Sequence, residues 1–231
     1  DSSGGPPPAD GTLSCLACCG RPAVADASIA ALSHRHFVQC PHGIRCPTTV
    51  HDPLVRALTA VFDALLGADR VLAERERDRS QVDGFVAGPG ATLQHRPDIV
   101  LCGLRGQGSY TIIDVKTFDA TGPTHVTTHG THRQRGAAHT ALALATRLSY
   151  GPLPALMELV PFVVSTSGAL GLHARGLVRD LALRSPSSVP YGLLDQASWA
   201  VPTLAPFLRC VVSTSVRRSV GAYHGRRWGT A

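Results

Sequence analysis

Residues 96–118 read RPDIVLCGLRGQGSYTIIDVKTF, and this stretch decides the fold. Two short apolar runs flank a glycine-rich turn, which is the pattern of two paired β-strands. Because side chains alternate between the faces of a strand, Asp114 and Lys116 share one face at the end of the second strand. If the two strands pair as a hairpin, Asp98 approaches the same position. The sequence therefore predicts two carboxylates beside one ammonium group.

This grouping has the composition needed for metal-assisted hydrolysis of a phosphodiester. Carboxylates hold Mg²⁺ through hard oxygen ligands, and a lysine orients the attacking water or stabilises charge on the phosphate. Lys116 is the only lysine among 22 lysine and arginine residues. Arginine stays protonated, whereas lysine is a compact donor whose pKa is readily lowered. The alternative interpretation is an exposed ion pair at the end of a strand.

The Pro97-Asp98 pair, a spacer and then Asp114-Val115-Lys116 resemble the PD-(D/E)-x-K nuclease superfamily. The resemblance covers roughly residues 50–185 and implies a restriction-endonuclease-like core in the order αβββαβ. It implies that Asp98, Asp114 and the Val115 carbonyl hold Mg²⁺ or Mn²⁺ and that Lys116 positions the water.

The same resemblance adds two further candidates to the catalytic set. It implies an additional acid upstream of the Pro-Asp pair, for which Glu74 is the candidate. It also implies a polar residue in the first turn of the following helix, and Gln134 is the candidate there. A solvated charge run is the alternative interpretation of Glu74.

Apolar periodicity around this stretch predicts an α/β (α+β) fold. Helical spacing over residues 51–67 indicates a first helix, with Asp52-Pro53 as its N-terminal cap and Gly67 as its stop. A second helix is predicted over residues 132–148. The apolar run 157–165 predicts a strand that Pro161 restricts to a sheet edge or a bulge. Helices are also predicted from about residue 169 and over residues 198–223.

An N-terminal segment is rich in cysteine and histidine. A C-x2-C pair followed by H-x3-C has the ligand types and spacing of a Cys₃His zinc site. The preferred zinc ligands are Cys15, Cys18, His36 and Cys40. Alternative ligands are Cys19 in the first pair and His34, His42 or Cys46 in the second. The other interpretation is a reduced loop that binds no metal.

The net charge of +6 is unevenly distributed. No acidic residue follows Asp195, and the C-terminal arginines are Arg209, Arg217, Arg218, Arg226 and Arg227. This bias favours a polyanion such as DNA, with Arg133 and Arg135 as further candidate contacts. A solvated basic helix without a partner is the alternative. The sequence contains no run of about 18 apolar residues, which argues against a membrane span.

These segments predict a linker over residues 1–12, a zinc-finger-like segment over 13–49, a nuclease-like core over 50–185 and a basic helical extension over 186–231. Their order resembles the C-terminal endonuclease region of site-specific non-LTR retrotransposons. That resemblance implies that the chain is part of a larger intracellular, nuclear polyprotein. It also implies that this polyprotein nicks DNA and binds the RNA of its element. A restriction or repair nuclease and an inactive DNA-binding relic are the alternatives.

Overall fold

The computed structural model describes residues 46–73, 96–120, 127–130, 134, 136–184 and 203–227. Several predicted site residues lie outside these ranges: the preferred zinc ligands Cys15, Cys18, His36 and Cys40, the acid Glu74, and the arginines Arg133 and Arg135. The predictions made for these residues stay predictions.

The main elements of the described residues are four α-helices and four strands. In chain order they are α1 (Cys46–Leu66), β1 (Val71–Ala73), β2 (Ile99–Cys102), β3 (Tyr110–Phe118), α2 (Ala137–Tyr150), β4 (Met157–Ser165), α3 (Leu172–Arg184) and α4 (Leu204–Arg227). The predicted mixed α/β class is confirmed. None of the helices within the described residues is both long enough and apolar enough to cross a membrane.

The strands form a mixed sheet in the order β1-β2-β3-β4. β1 pairs antiparallel with β2, β2 pairs antiparallel with β3, and β3 pairs parallel with β4. The predicted hairpin is therefore confirmed, with Ile99 opposite Ile113 and Cys102 opposite Tyr110. Pro161 lies in β4, an edge strand of the described sheet, as its missing amide donor requires.

Helices cover both faces of the sheet. Ile113 and Val115 point into the larger core cluster, which α1, α3 and α4 complete. Ile112 points the opposite way and packs with Tyr150 of α2 and Leu159 of β4. Asp114 follows Ile112 by two residues and so shares the α2 side of the sheet.

Helix α1 begins earlier than the sequence pattern suggests. The predicted cap at Asp52-Pro53 is wrong, because α1 starts at Cys46 and contains Pro53 in its interior. Pro47 occupies the first turn, where a missing amide donor costs nothing, and apolar packing keeps the helix intact past Pro53. The predicted stop is confirmed, since α1 ends at Leu66 and Gly67 has a φ of 93°.

The other helices are shifted by a few residues from their predicted bounds. Helix α2 begins at Ala137, so the prediction that Gln134 lies in its first turn is wrong. Gly136, with a φ of 89°, directly precedes the helix in a left-handed conformation that separates Gln134 from it. α3 starts at Leu172 and α4 spans Leu204–Arg227.

Candidate active site

The candidate site is built at the carboxyl-terminal half of β3. Asp114 is buried and Lys116 is exposed over 45% of its side chain, so the strand carries an acid at depth and a cation at the surface. The Lys116 Nζ lies 2.8 Å from Asp114 Oδ2. Residues two apart on a strand share a face, and this spacing brings the two charges together.

Asp98 joins this site because its carboxylate completes the end of the β2–β3 ladder. Its backbone amide donates to the Ile113 carbonyl at 3.1 Å. Its side-chain Oδ2 accepts the Val115 backbone amide at 2.6 Å, beyond the last paired residues of β2 and β3. The side chain thus replaces a backbone acceptor that β2 no longer supplies, and this fixes the Asp98 carboxylate beside the strand that carries Asp114.

The Val115 carbonyl faces the same gap. The amide and carbonyl of one strand residue point toward the same neighbouring strand. Since the Val115 amide meets Asp98, its carbonyl is also directed to the side of β3 on which Asp98 lies. Two carboxylates and a backbone carbonyl are therefore available at one strand end.

The environment of Asp114 disfavours an isolated negative charge. Burial raises the pKa of Asp114 above its ordinary value, and repulsion from Asp98 adds to the rise, although Lys116 and Tyr150 oppose it. The Tyr150 hydroxyl donates to Asp114 Oδ1 at 3.3 Å. Asp114 Oδ2 is fully buried and accepts no well-directed hydrogen bond, since Lys116 approaches it only as an ion pair.

His51 is a member of the site that the sequence analysis missed. From α1, its Nε2 lies 3.2 Å from Asp98 Oδ2, while its Nδ1 lies 2.9 Å from Asp52 Oδ1. Burial opposes a charge on this imidazole, but the contacts with Asp98 and Asp52 outweigh burial and raise the pKa of His51 to about 9. His51 therefore carries a positive charge at neutral pH beside the Asp98 carboxylate.

Tyr150 is the second residue that the sequence analysis missed. It is the last residue of α2, is buried, and reaches Asp114 across 36 residues of sequence. Burial, reinforced by the nearby Asp114 and Asp98 charges, raises the pKa of Tyr150 above its ordinary value. The tyrosine therefore stays protonated and acts as a hydrogen-bond donor.

Gln134 and the arginines of α4 are the other predicted site residues that the structure describes. Gln134 is exposed and, within the described part of the chain, its side chain makes no hydrogen bond to Asp98, Asp114 or Lys116. Arg217 and Arg218 are exposed on α4, and Arg226 and Arg227 form its last residues.

The residues present fit a hard divalent cation. Mg²⁺ binds through one or two carboxylates while it keeps several water ligands, and two carboxylates with a carbonyl meet this need. The buried Asp114 Oδ2 has the Lys116 ammonium 2.8 Å away, and a carboxylate oxygen retains a further lone pair that a metal cation would engage. Within the described residues, no set of three His, Cys, Asp or Glu side chains forms a metal-binding group.

Compared with known proteins, the sequence matches no family model and no curated protein.

Proposed function

We propose that this protein is a metal-dependent DNA endonuclease that hydrolyses phosphodiester bonds. The observation that carries the proposal is the convergence of Asp98, Asp114 and Lys116 in the carboxyl-terminal half of β3, just past its pairing with β2. The Val115 amide and Tyr150 hold the two carboxylates there. Acid pairs of this kind bind the cation that phosphodiester hydrolysis uses, and a lysine beside them supports the attack of water.

The order of the described elements supports the same proposal. A helix, three strands, a helix and a further strand succeed one another from α1 to β4, and the fourth strand joins the sheet in parallel beside β3. This is the order that resemblance to the restriction-endonuclease-like core implies. The Pro-Asp pair directly precedes β2 and the Asp-x-Lys triplet lies in β3, so the two motifs belong to neighbouring strands.

In this proposal Asp98, Asp114 and the Val115 carbonyl would hold Mg²⁺ or Mn²⁺. A cation bound there would supply Lewis-acid stabilisation of the charge that grows on the phosphate and would favour deprotonation of the attacking water. Lys116, partly exposed beside Asp114, orients the attacking water and donates to the phosphate oxygens. His51 and Tyr150 act as positioning residues, because His51 contacts the carboxylate of Asp98 and Tyr150 that of Asp114.

The wider context of the proposal is a retrotransposon polyprotein that acts in the nucleus. The nuclease would nick target DNA, and the Cys/His segment would bind Zn²⁺ and help to hold DNA or the element's RNA. The arginine-rich C-terminal segment, which has no acidic residue after Asp195, supports a polyanionic partner. Glu74 is a further candidate for the site, and Arg133 and Arg135 are candidates for contacts with the DNA backbone.

Analysis of the cleavage products tests this function. Supercoiled plasmid is incubated with the protein and Mg²⁺, and the nicked circle is offered to a DNA polymerase with labelled nucleotide. Hydrolysis that leaves a 3′-hydroxyl predicts incorporation of label at the nick without prior phosphatase treatment. DNA binding without any nick would instead favour an inactive DNA-binding module.

A further inference from the structure

A basic groove lies between α3 and α4, separate from the candidate active site. It has a volume of about 340 Å³. Its lining residues are Leu172, Arg175, Gly176, Arg179, Ala182, Leu183, Ala205 and Arg209. Three of these are exposed arginines, and none is acidic. The groove therefore presents a concentrated positive charge on a surface of small and aliphatic residues.

The arginines of the groove differ from others in the same fold. Arg70 donates to the Cys102 carbonyl, Arg105 bridges Glu158 and Asp180, and Arg184 donates to the Leu104 carbonyl. These guanidinium groups join elements of the protein to one another.

Arg175, Arg179 and Arg209 make no side-chain hydrogen bond or ion pair within the described residues. Asp180, the acid next to Arg179 in sequence, is engaged by Arg105 Nη1 at 2.7 Å. The positive charge of the groove is therefore not neutralised by a neighbouring acid in the described fold.

The spacing of the arginines suits a linear array of phosphates. Arg175 and Arg179 are four residues apart on α3, which places them on one helix face about 6 Å apart along its axis. Arg209 approaches from α4 on the other side of the groove. Guanidinium groups bind phosphate oxygens through paired hydrogen bonds, so three of them can grip successive backbone positions.

The rest of the lining favours a duplex over an unpaired strand. Single-stranded nucleic acid is bound through aromatic side chains on which bases stack, and no aromatic residue is found among the described residues that line the groove. Gly176, Ala182 and Ala205 contribute small residues to the lining beside the arginines, and Leu172 and Leu183 contribute exposed aliphatic side chains. Contacts of this kind recognise the backbone and carry no sequence information.

We infer that the α3–α4 groove binds the phosphate backbone of duplex DNA and holds the substrate outside the catalytic cluster. The inference rests on the proposed function for the identity of the partner. It assigns Arg175, Arg179 and Arg209 to substrate binding and gives them no part in the chemical step.

Fluorescence anisotropy with a labelled duplex of about 25 base pairs in EDTA tests this inference on the full chain. The double variant Arg175→Gln/Arg179→Gln is compared with Arg56→Gln/Arg147→Gln, which removes the same charge from exposed positions on α1 and α2. The groove variant should bind at least about tenfold more weakly. Its plot of log K against log salt concentration should be less steep by about 2, since each lost phosphate contact reduces the magnitude of the slope by about 0.9.

Three results would overturn the inference. They are unchanged affinity of the groove variant, an equal loss in the control variant, and a loss of affinity without a change in salt slope.

Nicking at saturating protein separates this inference from the proposed function. A groove variant that binds weakly but nicks at the wild-type rate when saturated supports a binding role, whereas wild-type protein that binds and never nicks contradicts only the proposed function. Circular dichroism checks that each variant is folded.

Discussion

Val115 donates its backbone amide to Asp98 Oδ2 at 2.6 Å, and this hydrogen bond ties the acid before β2 to the strand that carries Asp114 and Lys116. The bond occurs where β2 has ended, so a side chain continues the ladder that the backbone has left. His51 contacts the same oxygen from α1. One carboxylate oxygen therefore links a helix and two strands at the candidate site.

Replacement of Asp98 separates its structural part from its charge. Asp98→Ala leaves the Val115 amide and His51 without this acceptor, and we expect a loss of about 1–3 kcal/mol in the free energy of unfolding. Asp98→Asn retains an oxygen that can accept from Val115, so it should lose less. Urea unfolding measures both values. Equal stability of Asp98→Ala and the wild type would contradict the described role of this hydrogen bond.

Replacement of Asp114 should raise the stability of the metal-free protein and weaken its binding of metal. Burial raises the pKa of Asp114, so a negative charge on this side chain is disfavoured in the folded protein in the absence of metal. Asp114→Asn should therefore stabilise the metal-free protein by roughly 0.5–2 kcal/mol, as removal of an active-site charge commonly does. Thermal unfolding in EDTA measures this difference.

The same variant tests the binding of metal. At a Mg²⁺ or Mn²⁺ concentration about ten times the Kd, wild-type protein should gain about 1.4 kcal/mol from binding, and Asp114→Asn should gain much less. A matched control is Glu158→Gln, which removes an acid from the start of β4. If Asp114→Asn shows the same metal-induced rise in Tm as wild type, Asp114 is not a ligand.

The stability of the metal-free protein should depend on the charge of His51. Its pKa is about 9 in the folded protein and 6.5 ordinarily, so its contribution is complete below pH 6.5 and disappears as the pH rises through 9. The contribution is at most about 3–4 kcal/mol, because a tenfold change in proton affinity corresponds to about 1.4 kcal/mol. Urea unfolding of wild type and His51→Gln across the pH range that spans both pKa values measures it.

The difference in stability between these two proteins should shrink steadily across that pH range. His173 and Asp114 titrate in both proteins, so subtraction removes their effects to a first approximation. A difference that is constant with pH would mean that the His51–Asp98 ion pair contributes no charge-dependent stability.

Two glycines should respond in opposite ways to the same substitution. A Cβ at Gly168 would lie 2.7 Å from Ser213 Oγ and 3.0 Å from its Cα, and the φ of 85° also disfavours alanine. Gly168→Ala should therefore destabilise the protein by more than about 1 kcal/mol. Gly176→Ala, in the open face of α3, should stabilise it by about 0.5–1 kcal/mol. Urea unfolding distinguishes them, and a harmless Gly168→Ala would contradict the packing of α4 on this turn.

The proximity of Asp98 to Asp114 could be predicted because it depends on local sequence patterns. A glycine-rich turn between two apolar runs indicates a hairpin, and alternation along β3 gives the positions of Asp114 and Lys116. Gly103 bears this out, since its φ of 70° permits the turn and its hydrogen leaves room for the Arg70 guanidinium. The edge position of β4 followed from Pro161 in the same way.

The positions of His51 and Tyr150 depend on tertiary packing and could not be predicted from local pattern. His51 is far from Asp98 in sequence, and only the packing of α1 against the sheet brings them together. One signal was present, because His51 shares a helix face with Leu54, Val55 and Leu58 and so points to the core. Tyr150 was missed because α2 extends past its predicted end at residue 148.

The most direct test of the central claim is the rate of plasmid nicking in a single turnover. Wild type, Asp114→Asn, Lys116→Ala and the control Glu158→Gln are each used at protein concentrations that saturate the DNA, with Mg²⁺. We expect nicking by wild type and the control, with a loss of at least about 100-fold in the two site variants. Nicking by Asp114→Asn and Lys116→Ala at the wild-type rate, or no nicking by DNA-bound wild type, would contradict the central claim.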